Sequence, residues 1–219
     1  MSEKNQAEWL RERAYQTLLE NGFEPRFSDA VAKQLDEIEG GERASEKVED
    51  LRHLTWSSID NRTSRDLDQV EWAERLENGD IRLLVGIADV DSLIPKGSPI
   101  DDHAGRNTVS VYTVGRVFPM LPEQISTDLT SLNEGADRLA VVADMTIKED
   151  GDVPSSTFFR ARVHNHAKLS YPEVGSWFDG GTEPEKFSRV SGLREQIELQ
   201  REAALRLYAY RETKGALEF

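Results

Sequence analysis

The run SSIDNRTSRDLDQ, residues 57–69, places Asp60, Asp66 and Asp68 within thirteen residues and closes on the neutral amide of Gln69. Carboxylates that converge on one point repel each other unless a cation lies between them or one takes up a proton. A hard divalent ion such as magnesium is held by one or two carboxylates, with water and substrate oxygens filling its other positions. Hydrolysis of a phosphodiester at neutral pH calls for such an ion, because the ester carries a charge of its own. Asp and Asn are also common in turns, where they cap their own backbone. The spacing therefore leaves two readings open, an acidic turn that caps a strand and a carboxylate nest for a metal. Asp66 and Asp68, two apart, would share one face of a strand, with Asp60 approaching across the turn NRTSR. Asp89, after the apolar LLVGIA, is open to a similar pair of readings, a carboxylate that closes a buried strand or a further ligand or support.

Composition narrows the classes. The chain has 219 residues, 37% hydrophobic and 31% charged, which is the balance of a globular protein with a charged surface. No apolar run reaches the roughly 20 residues that a membrane span needs, and the polar start MSEKNQAEWLRER lacks the apolar stretch of a secretory signal, so a cytoplasmic protein with no membrane partner is expected. With no cysteine, thiolate zinc sites, disulfides and cysteine nucleophiles are excluded. The net charge of −14 argues against nucleic acid, whose binders gain affinity from cations meeting phosphate. Two acid-free stretches break that trend: residues 103–122 carry Arg106 and Arg116, and residues 156–171 carry Arg160, Arg162 and Lys168. Each also holds a tyrosine, Tyr112 or Tyr171, and an aromatic ring beside cations can stack on a base while they meet phosphate; packing in a core is the alternative. His103, His164 and His166 lack metal-like partners in the sequence and read as surface residues or, at most, nucleic-acid contacts.

These side chains need elements to position them. Trp9, Leu10, Ala14, Leu18 and Leu19 recur at helical spacing, and after the turn NGFEPRF, Ser28 is an N-cap for a second helix carrying Val31, Leu35 and Ile38. Residues 1–50 thus read as a helical hairpin followed by a linker, EGGERASEKVED. From residue 51 the period becomes that of strands: LTWSSID, DLDQVEWAERL and the near-continuous apolar GDIRLLVGIADV. Pro99, with Asp101 and Asp102, suits the first turn of a helix over 99–112. LAVVADMTI and SSTFFRARVHNH form an antiparallel pair across the Asp-Gly turn of KEDGDVP, and residues 191–214 make a long amphipathic helix. The fold class is α+β.

In order along the chain, DLRHLTWSSIDNRTSRDLDQ, LLVGIADVDSLIPKGSPID, SVYTVGRVFPMLPEQISTDLTSL and AKLSYPEV resemble the RNB catalytic domain of the ribonuclease II family over about residues 50–178. The resemblance implies a mixed, largely antiparallel sheet flanked by helices, with residues 51–219 as the first portion of that domain, and a helical start like that of one family subgroup. It implies a magnesium-dependent hydrolytic exoribonuclease that degrades single-stranded RNA from its 3′ end and releases nucleoside 5′-monophosphates. Asp60, Asp66 and Asp68 fall on three of the family's four acidic metal positions, and Gln69 on the fourth. Tyr112 matches an aromatic that clamps the RNA, and Tyr171 one that stacks near its terminal nucleotide; Arg106, Arg116 and Lys168 would meet phosphates. Gly86 stands where many members have a histidine, which removes a side-chain contact and leaves the strand. Family domains continue beyond the matched part, so a completing C-terminal half, on the same or a second chain, is a further expected partner, and an acidic first half need not mean an acidic RNA channel. Gln69 and the incomplete domain motivate a second hypothesis, an inactive RNA-binding or regulatory protein on the same scaffold. A third expectation is that the helix over 191–214 exposes an apolar face meant for the absent half.

Overall fold

A computed structural model of the chain describes residues 3–38 and 47–216. Helices α1 (Glu3–Glu20) and α2 (Asp29–Glu37) come first, then strands β1 (Glu49–Asp50), β2 (Trp56–Asp60), β3 (Gln69–Arg75) and β4 (Ile81–Ala88). Helix α3 (Pro99–Asn107) and the short strands β5 (Val111–Tyr112) and β6 (Val117–Phe118) follow. Strands β7 (Asp137–Ile147) and β8 (Ser155–Ser170) lead into α4 (Tyr171–Phe178), α5 (Lys186–Arg189) and α6 (Leu193–Thr213). The described residues form two compact units, one drawn from residues 1–43 and 90–129, the other from 44–89 and 130–219.

In the first unit, Ser28 caps α2 by accepting the Val31 N–H, as the sequence leads one to expect, while α3 begins at Pro99 as expected but ends at Asn107, short of residue 112, because Thr108 turns into the left-handed region and Val111 and Tyr112 form β5. Val31 on α2 packs with Leu93, Ile94, Ile100 and Ile125. His103 is not a surface residue: it is 4% exposed, and its ring lies 4.5 Å from that of Phe27. Asn107 Nδ2 lies 3.0 Å from His103 Nε2 and donates to the Glu24 carbonyl at 3.0 Å, and Asn107 Oδ1 accepts the Glu24 N–H. An Nε2 that accepts from the amide must be unprotonated, and burial pushes the His103 pKa down against the opposing pull of Glu24. The folded state thus favours neutral His103, while the unfolded chain takes up a proton as pH falls through about 6.5. The unfolded state then binds more protons, and stability is lost toward lower pH. Melting temperature should fall between pH 7 and pH 5.5, and the slope should flatten in His103→Gln; equal slopes in both proteins would refute this origin.

In the second unit the six-stranded sheet has the order β1-β8-β2-β3-β4-β7, and β7 pairs with β8 as well. The long β8 does two jobs. Its first part runs antiparallel to β7, from Thr146↔Ser155 to Asp137↔His164, and its last part runs parallel to β2, from Trp56↔Asn165 to Asp60↔Ser170. The ladder therefore returns on itself through β8. The expected hairpin of β7 and β8 is present, but β8 extends beyond it into a parallel pairing that local sequence does not announce. Of the segment read as a linker, residues 39–46 lie outside the described residues, while Glu49 and Asp50 form β1 beside Ala161 and Arg162 of β8.

Alternation sets the faces of β8. Ala161, Val163, Ala167 and Leu169 are buried with Trp56, Val70, Leu84 and Val142 in neighbouring parts of the core, while Arg160, Arg162, His164, His166 and Lys168 occupy the alternate positions. At Gly86 an added Cβ would lie 3.2 Å from Val70 Cγ2, 3.4 Å from Ala140 Cβ and 3.6 Å from the Trp56 ring, so a larger side chain at this position would crowd the core. The apolar face of α6 is covered over most of its length: Leu193, Ile197 and Ala203 are buried, and Leu199 and Leu207 pack with Ile81, Leu83 and Ile147, while Leu205 stays 51% exposed. Gln196 ties the helix down by accepting the Ala73 N–H and donating to the Ala73 carbonyl, each at 2.8 Å.

Candidate metal and RNA site

Asp60 is the last residue of β2, and β3 begins only at Gln69. Asp66 and Asp68 therefore lie in the connecting loop and not on a strand face, which corrects the expected geometry. The loop is nevertheless pinned. Asp60 Oδ1 accepts from the Asn61 N–H at 2.6 Å and the Ser64 hydroxyl at 2.7 Å, an arrangement that turns the chain sharply after the strand. Buried Ser131 accepts the Leu67 N–H at 2.9 Å and donates to the Arg65 carbonyl at 3.0 Å. The Leu132 N–H donates to the Leu67 carbonyl, and the Ala88 N–H to the Asp68 carbonyl, each at 2.9 Å. Ser131 is a positioning residue that the sequence reading missed, since a lone serine in TSLNEG carries no signal of a partner in the 60s.

The three carboxylates feel one another. Desolvation first, then the charges of Asp66 and Asp60, hold the Asp68 pKa above its usual value. Burial likewise pushes Glu71 up, two residues into β3. Among the described residues, no three His, Asp or Glu side chains stand close enough to form a ready-made metal cage. The donor set still fits magnesium, which takes few carboxylates and keeps several waters. A cation would relieve the mutual repulsion recorded at Asp68, and Gln69, exposed at the start of β3, offers an amide oxygen next to it.

Asp89 takes the structural reading. It is 3% exposed, its N–H donates to the Leu139 carbonyl at 3.1 Å, and its Oδ2 lies 2.8 Å from Arg160 Nε. Tyr171, 54% exposed, starts α4 immediately after Ser170, the sheet partner of Asp60, so the parallel pairing brings this tyrosine's backbone to the end of the strand that carries Asp60. Ser170 anchors that turn by donating its hydroxyl to Glu173 at 3.1 Å. Lys168 points to the acidic loop: its ammonium donates to the carbonyls of Arg62, at 3.4 Å, and Ser64. His164 Nδ1 lies 2.7 Å from Asp137 Oδ1, and His166 Nε2 3.3 Å from the Arg52 carbonyl.

The other expected RNA contacts belong to the first unit. Tyr112 is 71% exposed on β5, in a hairpin whose tip is held by Arg11 Nε donating to the Gly115 carbonyl at 2.9 Å. Arg116 lies over the Phe118 ring at 5.1 Å, and Arg106 forms an ion pair with Glu24.

A mixed sheet that closes through one long strand, with a pinned run of aspartates between two of its inner strands, defines an α+β protein with a carboxylate-bearing loop at the strand ends. The sequence matches the RNB domain over residues 48–219, and the chain belongs to the RNB family. It is 35% identical over 198 residues to a ribonuclease R of Vibrio parahaemolyticus, covering 88% of this chain and 23% of that protein. An exoribonuclease 2 of Buchnera aphidicola is 39% identical over 132 residues, covering 60% of this chain and 20% of the relative. The fold is similar to Mycoplasma genitalium RNase R, solved in complex with double-stranded RNA, with a TM-score of 0.82 and 25% identity over 92% of this chain and 35% of that one. The chain thus spans about a quarter of the Vibrio relative's length. Among the described residues no helix is long and apolar enough to cross a membrane.

Proposed function

We propose that the chain supplies the carboxylate side of a magnesium-dependent exoribonuclease site, which hydrolyses single-stranded RNA from its 3′ end and releases nucleoside 5′-monophosphates in the cytoplasm. The observation that carries this reading is the pinned loop with Asp60, Asp66 and Asp68 inside the RNB match, close in the fold to the start of α4 at Tyr171. Asp60, Asp66 and Asp68 would hold magnesium directly or through water, with the Gln69 amide as a neutral donor. The bound ion would neutralise charge on the scissile phosphodiester and provide a nucleophilic water at neutral pH. Tyr171 would stack on the terminal base, Tyr112 would grip the strand, and Arg106 and Arg116 would meet phosphates. Because the chain covers a small share of its relatives, a segment that completes the site, on the same or a second polypeptide, belongs to the proposal.

Gln69 favours a second reading. One fewer negative charge at the loop weakens the hold on a cation, which suits a chain that binds RNA on this scaffold without cutting it. A 5′-labelled single-stranded RNA separates the two. With magnesium, the chain should shorten it in single-nucleotide steps, and EDTA should stop the reaction. Retention of the RNA at full length, with binding intact, would sink the catalytic reading for this chain and support the second.

A further inference from the structure

Lys168 was expected to meet phosphate, yet its surroundings are those of a structural clamp. Its backbone is fixed twice: the N–H donates to Glu134 Oε2 at 2.7 Å, and the carbonyl accepts from Lys186 Nζ at 2.7 Å. Lys186 also pairs with Glu134, so one carboxylate and one ammonium close around the peptide units of residue 168. The side chain thus starts from a set position on β8, opposite Ser58 of β2, and reaches the carbonyls of Arg62 and Ser64. Ser64 in turn gives its hydroxyl to Asp60. The ammonium is therefore one residue removed from the first carboxylate of the acidic run. It holds the part of the loop before Asp66, and Ser131 holds Arg65 and Leu67, the residues that flank Asp66.

We propose that Lys168 is a positioning residue, whose ammonium fixes the loop between Asp60 and Asp66 and so sets the spacing of the carboxylates, instead of contacting RNA phosphate. The physical reason is that carbonyls at a turn have no sheet partner, and a fixed ammonium satisfies two of them at once. An ammonium engaged in this way must leave both carbonyls unpaired before it can meet a phosphate. The inference rests on the proposed metal-dependent reading only where metal enters the test.

Three measurements on Lys168→Met decide it. Hydrogen exchange of amides 62–66 should speed up relative to wild type, a readout that needs neither metal nor activity. Manganese affinity, followed by the electron paramagnetic resonance of the free ion, should fall about tenfold, as for loss of a group that orients a ligand. The salt dependence of binding to a single-stranded RNA in EDTA should keep the wild-type slope. A slope reduced by about one unit, with loop exchange unchanged, is the signature of a phosphate contact and would overturn the proposal. If the wild-type chain binds no manganese, the metal reading fails while loop exchange still decides the role of Lys168. Should Lys168→Met not fold, Lys168→Arg carries the same comparison. Arginine preserves a phosphate contact, but its larger planar head does not reproduce a point charge on two carbonyls. Faster loop exchange with an unchanged salt slope supports the clamp, and wild-type behaviour in both refutes it.

Discussion

Asp68→Asn should abolish magnesium-dependent shortening of RNA and raise the melting temperature of the same protein. The two effects have one cause. Asp68 is held above its usual pKa by desolvation and by the charges of Asp66 and Asp60, so its ionised form is disfavoured in the folded state. A group with a raised folded pKa costs stability where it is ionised, and a neutral amide of the same shape removes that cost at pH 7. The charge is kept, on the proposed reading, because a cation needs it. Loss of about 3 kcal/mol of transition-state stabilisation corresponds to more than a hundredfold in rate. Labelled-RNA kinetics and a thermal melt without metal test both halves. A destabilised variant would refute the electrostatic cost at Asp68, and one that keeps wild-type rates would remove Asp68 from the site. For the wild type, the same electrostatics predict that manganese or magnesium raises the melting temperature by binding the folded state alone.

Gly151→Ala should be the most damaging small substitution in the second unit. Gly151 lies at φ +83° in the turn from β7 to β8, which the Asp-Gly pair of KEDGDVP announces in the sequence. An added Cβ would overlap the Arg206 carbonyl oxygen and lie 2.7 Å from Tyr210 Cβ, both on α6. Backbone atoms in the middle of a helix cannot move aside as a flexible side chain can. The left-handed conformation costs about 1–2 kcal/mol for a non-glycine residue, and overpacking adds about 1–3 kcal/mol. For a chain of this size the sum amounts to a drop of very roughly 10 °C in melting temperature. Gly79→Ala is the control. Gly79 has φ +86° in the turn from β3 to β4, with nothing within 4 Å of its added Cβ. It should lose only the backbone part. Equal losses at the two glycines would show that α6 does not press on the β7–β8 turn.

Much of the fold was legible because its signals are local. Ser28 caps α2 through the N–H three residues ahead, Pro99 marks the start of α3, and Leu193 and Ile197 mark α6 by helical spacing. The acidic run could be found by residue type alone. Its geometry could not: Asp66 and Asp68 looked like neighbours on a strand, but β3 starts at Gln69, and the loop takes its shape from Ser131 and Lys168. Lys168 shows where local signals end: its charge is written in the sequence, and the Arg62 and Ser64 carbonyls that its ammonium meets are not.

By itself the sequence determined the types of the longer elements, the turn glycines, the order of the RNB motifs and the identity of the carboxylates. Each depends on residues a few positions apart, where backbone sterics and side-chain period act directly. Only the tertiary structure decided that β8 leaves β7 to run beside β2, that Glu49 and Asp50 join the sheet, that His103 is buried and that α6 packs Leu193, Ile197 and Ala203 into the core. These depend on pairings between distant segments; Lys168 and Arg62 are separated by 106 positions. Chain closure over such a distance leaves no periodic trace in either segment, so the partner of a strand edge or an ammonium is fixed by the packed whole.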